Sequence, residues 1–316
     1  MLTNVLIFVV VIALAVTAIL FTWRTRRAAG RARKWIALAA GGIVAVVLTI
    51  ISVSSTHGLV MLYAPRGRAV RDLKIDRTAE RIARGRHFAE ISCAGCHTLN
   101  GELPLSGGKN LSDEAGMPLG DLYTINLTPA GPLATWTDGE IFRAVRDGAD
   151  RNGHRLPVMS AQRVRNLSDD DLMSVIAFLR SQEAVKNETP PPAPSFLTVV
   201  LAGANMLPLL PGLPPDTIVA PAPGPTREYG EYMVRWMGCD ECHGPHYTGG
   251  GGGVVPKGPT LRTVKGWTRD GFLTTLRTGR TPFGKQLDST KMFYKIYGRA
   301  TDDELTAIYT YLTSLN

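Results

Sequence analysis

Four cysteines are all that this chain of 316 residues contains, and none lies outside residues 93–97 and 239–243. No thiol is left for a disulfide framework or a further metal centre elsewhere. Acidic residues are missing from "RTRRAAGRARK" (24–34), which holds Arg24, Arg26, Arg27, Arg31, Arg33 and Lys34. Beyond that segment the positive surplus almost vanishes. Setting the six cations aside takes the formal charge from +8 to +2, with 29 basic against 27 acidic residues. A nucleic-acid partner is excluded on that count, because the basicity is confined to one short loop. Methionine is scarce too: after residue 243 the chain holds only Met292.

What is abundant is apolar sequence, and it is concentrated at the start. Val5 to Trp23 and Trp35 to Val53 are nearly uninterrupted apolar runs of 19 residues each. Each is about long enough to cross a bilayer as a helix. The cationic loop between them predicts a cytoplasmic turn, with the N-terminus and everything after Val53 on the outer side. A cleaved signal peptide would carry its positive charge before the apolar stretch, whereas here the charge follows it. The expectation is an uncleaved hairpin over residues 1–56, with Trp23 and Trp35 at the interfaces, then a tether over 57–76.

The cysteines form "CAGCH" (93–97) and "CDECH" (239–243). Cys-x-x-Cys-His is the attachment signature of c-type haem. Two thiols add across the vinyl groups and the adjacent His reaches the iron as proximal ligand. A zinc half-site or a redox pair also uses Cys-x-x-Cys, but neither requires a His directly after each second Cys. One match by chance has a probability of roughly one in a thousand, and two with no cysteine left over predict two covalently bound haem c groups. Attachment on the outer side of a membrane agrees with the topology. Two haems add about four propionate charges, which leaves the outer part near neutral or mildly acidic.

The outer part is written twice. "GRHFAEISCAGCH" (85–97) matches "GEYMVRWMGCDECH" (230–243) with one residue inserted. "TWTDGEIFRAVRDG" (135–148) matches "GWTRDGFLTTLRTG" (266–279), and "LSDDDLMSVIAFLRS" (167–181) matches "ATDDELTAIYTYLTS" (300–314). Repeats of this length mean tandem domains, placed at 77–182 and 227–316. Residues 183–226 hold 11 of the 21 prolines and read as a stiff linker. Its apolar centre "FLTVVLAGANMLPLL" is expected to pack on one of the domains, with contact at the membrane surface as the alternative.

Each domain reads as helical, and the fold class is all-α. Ser168 with Asp171, and Thr301 with Glu304, open the closing helices with a cap residue and an acid three positions on. Leu172, Val175, Ile176 and Leu179, and Leu305, Ile308, Tyr309 and Leu312, are core-facing stripes. Arg81, Arg84 and Arg86 are expected on a solvated side of the helix before the first haem motif.

The repeat also selects the sixth iron ligands. Met159 lies nine residues before Ser168 and Met292 nine before Thr301. That common register favours both over Met117 and over core filling, the usual role of methionine. His154, His246, His57 and His87 lack repeat partners and read as surface residues. His/Met pairs close both iron faces and favour electron exchange over substrate chemistry. Trp136 and Trp267, with Arg146 and Arg277 ten residues later, are either propionate partners or a core Trp with a solvated Arg. In "GPTL" (258–261) the Pro259 carbonyl either accepts the His243 ring N–H or forms an ordinary turn.

With "RGRHFAEISCAGCHT", "INLTPAGPLATWTDGEIFRAVRDG" and "LPVMSAQRVRNLSDDDLMSVIAFLRS", the chain resembles class I cytochrome c domains. More narrowly, it is similar to the cytochrome c subunits of membrane-bound bacterial dehydrogenases of the alcohol, gluconate and molybdenum-hydroxylase types. The resemblance implies covalent haem on Cys93, Cys96, Cys239 and Cys242, with His97/Met159 and His243/Met292 as axial pairs. Many such relatives carry three haems and a cleaved signal, unlike this chain. A hairpin before an outer haem domain also resembles oxidase subunits of the second type, but their copper site needs cysteines that are absent here. The expected role is relay of single electrons between a membrane dehydrogenase or quinol-oxidising complex and a terminal oxidase or soluble carrier. The alternative is a dihaem redox enzyme of peroxidase or sulfur-compound-oxidising type. The expected setting is the cytoplasmic (inner) membrane, with lipid around the hairpin and the haem domains in the periplasm.

Overall fold

The computed structural model describes residues 1–25, 30–207, 212–251 and 256–315. Arg26 and Arg27 of the basic loop, and Pro208 with the end of the apolar linker segment, lie outside the described residues. The two apolar runs are helices α1 (Leu2–Thr25) and α2 (Arg31–Tyr63). Both are long and apolar enough to span a membrane. Only 6% of the first span and 0% of the second are buried inside the fold, which is unlike the core helix of a water-soluble domain. The helices lie side by side, and Gly41 comes so close to Thr22 that a Cβ there would sit 2.4 Å from the Thr22 hydroxyl.

The second helix outruns its apolar stretch by ten residues, ending at Tyr63 and not near residue 56 as expected. The extension has a packing cause. The linker forms α9 (Phe196–Gly203) against it, and a Cβ on Gly58 would meet the Val199 carbonyl at 1.9 Å. A Cβ on Gly203 would meet the Ser54 carbonyl at 1.7 Å. His57 Nδ1 bonds the Gly203 carbonyl at 2.8 Å, and buried Asn4 donates to Tyr63 Oη (3.0 Å) and to the Pro194 carbonyl (2.9 Å). The apolar linker segment therefore packs on the hairpin. It also reaches the first domain: strand β2 (Ala193–Pro194) pairs antiparallel with β1 (Gly120–Asp121), and Thr198 Oγ1 donates to the Leu119 carbonyl.

The first domain comprises α3 (Ala79–Ser92), α4 (Ala94–His97), α5 (Leu111–Ala115), α6 (Asp138–Arg146), α7 (Pro157–Ala161) and α8 (Asp169–Ser181). The second comprises α10 (Arg227–Met237), α11 (Cys239–His243), α12 (Arg269–Thr278), α13 (Tyr294–Tyr297) and α14 (Asp302–Ser314). In each, the opening and closing helices cross at a glycine. A Cβ on Gly85 would lie 1.8 Å from the Ser174 carbonyl, and one on Gly230 would lie 1.9 Å from that of Ala307. Only glycine lets the backbones approach so closely. The stripes on α8 and α14 are buried as expected, from Leu172 and Leu305 at 0% exposure to Leu179 at 4%. Tyr309 is half-buried and donates to the Trp267 carbonyl at 2.9 Å.

The two domains share one apolar core, in which Phe88 of α3 meets Trp236 of α10 edge-on at 5.4 Å. Their polar contacts exchange under the repeat. His87 and Tyr232 follow Gly85 and Gly230 by two residues, and each reaches the other domain's closing helix. His87 Nε2 lies 2.8 Å from Glu304 Oε2, and Tyr232 Oη donates to Asp171 Oδ2 at 2.5 Å. Asn166 and Arg299 each precede a helix cap by two residues. Asn166 donates to the Arg235 carbonyl and Arg299 to that of Glu90, both at 3.4 Å. The interface is thus a pseudo-two-fold one, in which each domain's attachment helix sends a side chain to the first turn of the other domain's closing helix.

Candidate functional site

Each Cys-x-x-Cys-His motif forms one short helical turn directly after the opening helix. In α4 the His97 amide donates to the Cys93 carbonyl at 2.8 Å, which brings Cys93, Cys96 and His97 together. His97 and His243 are 9% and 7% exposed. His97 Nδ1 contacts the Ile125 carbonyl at 3.0 Å, and His243 Nδ1 the Pro259 carbonyl at 2.7 Å. A carbonyl can only accept, so Nδ1 carries the proton in both rings and Nε2 is left with its lone pair. Fixing the tautomer in this way is how a neighbouring acceptor prepares a histidine to ligate a metal. The acceptor role is therefore the one that Pro259 plays. The Ile125 carbonyl plays it in the first domain, and nothing in the spacing of "INLT" marked it. Burial lowers both histidine pKa values, against the opposing pull of these carbonyls, and keeps the rings neutral.

The loops after the two histidines are closed alike: Gly107 N donates to the His97 carbonyl at 2.8 Å and Gly249 N to the His243 carbonyl at 2.7 Å. Gly258 has to be glycine, because a Cβ there would lie 2.7 Å from His243 Nδ1. All four thiols are free. Burial pushes Cys93 up to about 11 and Cys239 up to about 12. A reactive dithiol needs the opposite shift, and among the described residues no three His, Cys, Asp or Glu side chains are arranged to hold a metal ion.

The methionines occupy matching frames. Leu156 N donates to the Gly148 carbonyl and Leu287 N to the Gly279 carbonyl, both at 2.8 Å, which closes a loop just upstream of each. Met159 lies in α7 and Met292 in the turn before α13. Both are half-buried, and so is Met117. Arg146, far from solvated, is 1% exposed: Nη1 donates to the Arg165 carbonyl at 2.7 Å and Nη2 to Asp169 Oδ1 at 2.9 Å. Arg277 repeats the arrangement with the carbonyls of Gly298 (2.5 Å) and Ala300 (3.1 Å) and with Asp302 Oδ1 (2.6 Å). Both arginines clamp a mid-domain helix to the start of the closing helix. Trp136 and Trp267 are half-buried.

Other expectations change in detail. Arg81 and Arg84 pair with Asp170 (3.0 Å) and Asp171 (2.5 Å), tying α3 to α8, while Arg86 stays exposed. Thr301 and Glu304 form a full capping box, whereas Asp171 is taken by Tyr232 and Arg84. His154 and His246 are exposed, but His87 is an interdomain residue. Repeat alignment pairs His87 with Tyr232, yet nothing in the sequence says that they face the other domain.

A c-type haem fits these residues. Two thiols and a histidine with a free Nε2 stand together twice, and a buried arginine beside the first methionine loop, Arg155, has Nε and Nη1 without a partner. Comparison with known proteins agrees. Residues 80–179 match the family described as "Cytochrome C oxidase, cbb3-type, subunit III", and residues 228–316 match "Cytochrome c". The chain carries two cytochrome c domains, which makes it an electron-transfer haem protein. It is similar to a nicotinate dehydrogenase subunit of Pseudomonas putida, with 30% identity over 226 residues, 64% of this chain and 18% of that protein. It is also similar to the gluconate 2-dehydrogenase cytochrome c subunit of Pantoea cypripedii, with 24% identity over 273 residues, 74% of this chain and 59% of the relative. The chain is a c-type cytochrome, and its match spans less than two thirds of either relative.

Proposed function

We propose that this chain is a membrane-anchored dihaem cytochrome that relays single electrons for a membrane dehydrogenase or quinol-oxidising complex, passing them to a terminal oxidase or a soluble carrier. The observation that carries the reading is the duplicated histidine geometry, in which a backbone carbonyl holds Nδ1–H and leaves Nε2 free to ligate. Cys93 and Cys96 would tether one haem and Cys239 and Cys242 the other, with His97/Met159 and His243/Met292 as axial pairs. Each haem, when bound, supplies reversible one-electron exchange. The protein's part is to hold the rings neutral and oriented, to keep water off the buried histidines, and to fix the two sites in one rigid body through the shared core.

The domains are 77–182 and 227–316, joined by the linker 183–226 and carried by the hairpin. The basic loop lies in the cytoplasm and the haem domains on the outer side of the inner membrane. Support comes from the two spans and from the bond of Asn4 to Tyr63, which brings the start of α1 to the end of α2. A haem-stained gel and a pyridine haemochrome assay on detergent-purified protein test the core of the reading. Two covalent haems per chain are expected, and one or none would overturn it. Reporter fusions at residues 30 and 70 test the topology: an outer-side signal at 30 would refute the orientation.

A further inference from the structure

Arg155 is 5% exposed, and its Nε and Nη1 are buried without a hydrogen-bond partner. Its buried neighbours are better served: Arg146 and Arg165 each leave only Nε unmet and place their Nη groups on protein oxygens. A buried guanidinium without an acceptor is costly, and the cost is relieved when an anion arrives beside it. Arg155 sits in the loop closed by the Leu156–Gly148 hydrogen bond, opposite Ala149 and four residues before Met159.

The second domain differs at the same place. Arg280 and Gln286 form the matching bridge, so Gln286 stands where the first domain has Arg155. Gln286 is neutral and exposed, and it donates to the Thr278 carbonyl at 3.2 Å. The attachment motifs differ in the same electrical sense. The second carries Asp240 and Glu241 between its cysteines, where the first has Ala94 and Gly95.

We infer that Arg155 binds a propionate carboxylate of the haem held by the first domain, and that this cation makes the first site the higher in reduction potential of the two. The inference rests on the dihaem reading. A free propionate places negative charge near the iron and favours the ferric form, which carries one more positive charge than the ferrous. Neutralising it with a buried cation removes that preference, and low dielectric enlarges the effect. At the second site Gln286 brings no charge, and Arg163 beside the attachment turn is already paired with Asp240 at 2.9 Å.

The test is a potentiometric titration of purified full-length protein followed by visible absorbance. It uses the parent chain, Arg155→Gln, Arg155→Lys and Gln286→Arg, with Met292→His to identify the second domain's wave. The parent should give two one-electron waves, the first domain's being higher. R155Q should lower that wave by about tenfold in its redox equilibrium, about 59 mV for one electron. R155K should lower it less, and Q286R should raise the other wave. An unmoved higher wave in R155Q, or movement of the lower wave alone, would overturn the inference. If R155Q fails to take up haem, R155K and Q286R decide, and failure of both to move their waves overturns it. Haem content per chain is measured first. A value of one refutes the two-haem reading separately, and R155Q is then read on the haem that the first domain retains.

Discussion

Gly85→Ala perturbs the crossing of α3 and α8 with a single methyl group. Its Cβ would stand 1.8 Å from the Ser174 carbonyl oxygen and 2.9 Å from Val175 N. Carbon–oxygen contacts relax at about 3.3 Å, so the two helices would have to part by roughly 1.5 Å. Gaps of 0.5–1 Å already forfeit about a quarter to a half of a contact's attraction, so most of the packing between the helices beside Phe88 and Val175 is lost. Overpacking of this kind costs about 1–3 kcal/mol, and a backbone atom as the obstacle puts the cost near the top, about 3 kcal/mol. For a folded unit of this size each kcal/mol lowers Tm by about 2–4 °C, so a fall of about 6–12 °C is expected. Because both domains share one core, circular dichroism should record a single transition and not one mobile and one unmoved. A Tm within about 2 °C of the parent, or melting of the first domain alone, would refute the reasoning.

Four further outcomes are expected. Burial pushes the Glu304 carboxyl up, but His87 and the Thr301 backbone outweigh it and hold the group below its ordinary value of 4.5. The stabilisation is therefore present above pH 4.5 and lost as the pH falls through the lower folded value. E304Q should cost about 1–3 kcal/mol at neutral pH, with the Tm gap to the parent closing in acid; a gap independent of pH would count against the pairing. Tyr232→Phe removes the donor to buried Asp171 and the acceptor of Ser168 N, and should cost about 1–3 kcal/mol in denaturant melts. Gly58→Leu should drive α9 off α2 and make Phe196–Gly203 more readily cleaved in limited proteolysis than in the parent, and equal cleavage would count against the packing. Cys96→Ser and Cys242→Ser should each lower covalently bound haem by one equivalent per chain in a pyridine haemochrome assay.

The tandem organisation, the closing helices and both attachment turns were legible because each rests on local pattern: repeat register, cap residues and the Cys-x-x-Cys-His spacing. Pro259 could be named as a histidine partner for the same reason, since it lies close in sequence and is flanked by turn residues. Ile125 could not, because it lies 28 residues from His97, against 16 for Pro259 and His243, and no glycine or proline beside it marks the place. Arg146 and Arg277 were found by their register, and Arg277 is exposed as one of the two alternatives had it; that Arg146 is buried was not legible, because its burial depends on acceptors contributed by distant segments. The ends of α2 and the seat of α9 were hidden for a different reason: they are set by a glycine-to-glycine approach between parts of the chain about 145 residues apart.

The exchange of His87–Glu304 for Tyr232–Asp171 carries a consequence for how such a chain can vary. A substitution of His87 or Tyr232 alters the footing of the opposite domain, so these two positions cannot vary without regard to the other half. Independent beads on a string would have to find each other by diffusion before anything passed between them. Two halves that share one core instead hold their attachment turns at a separation set by the fold itself.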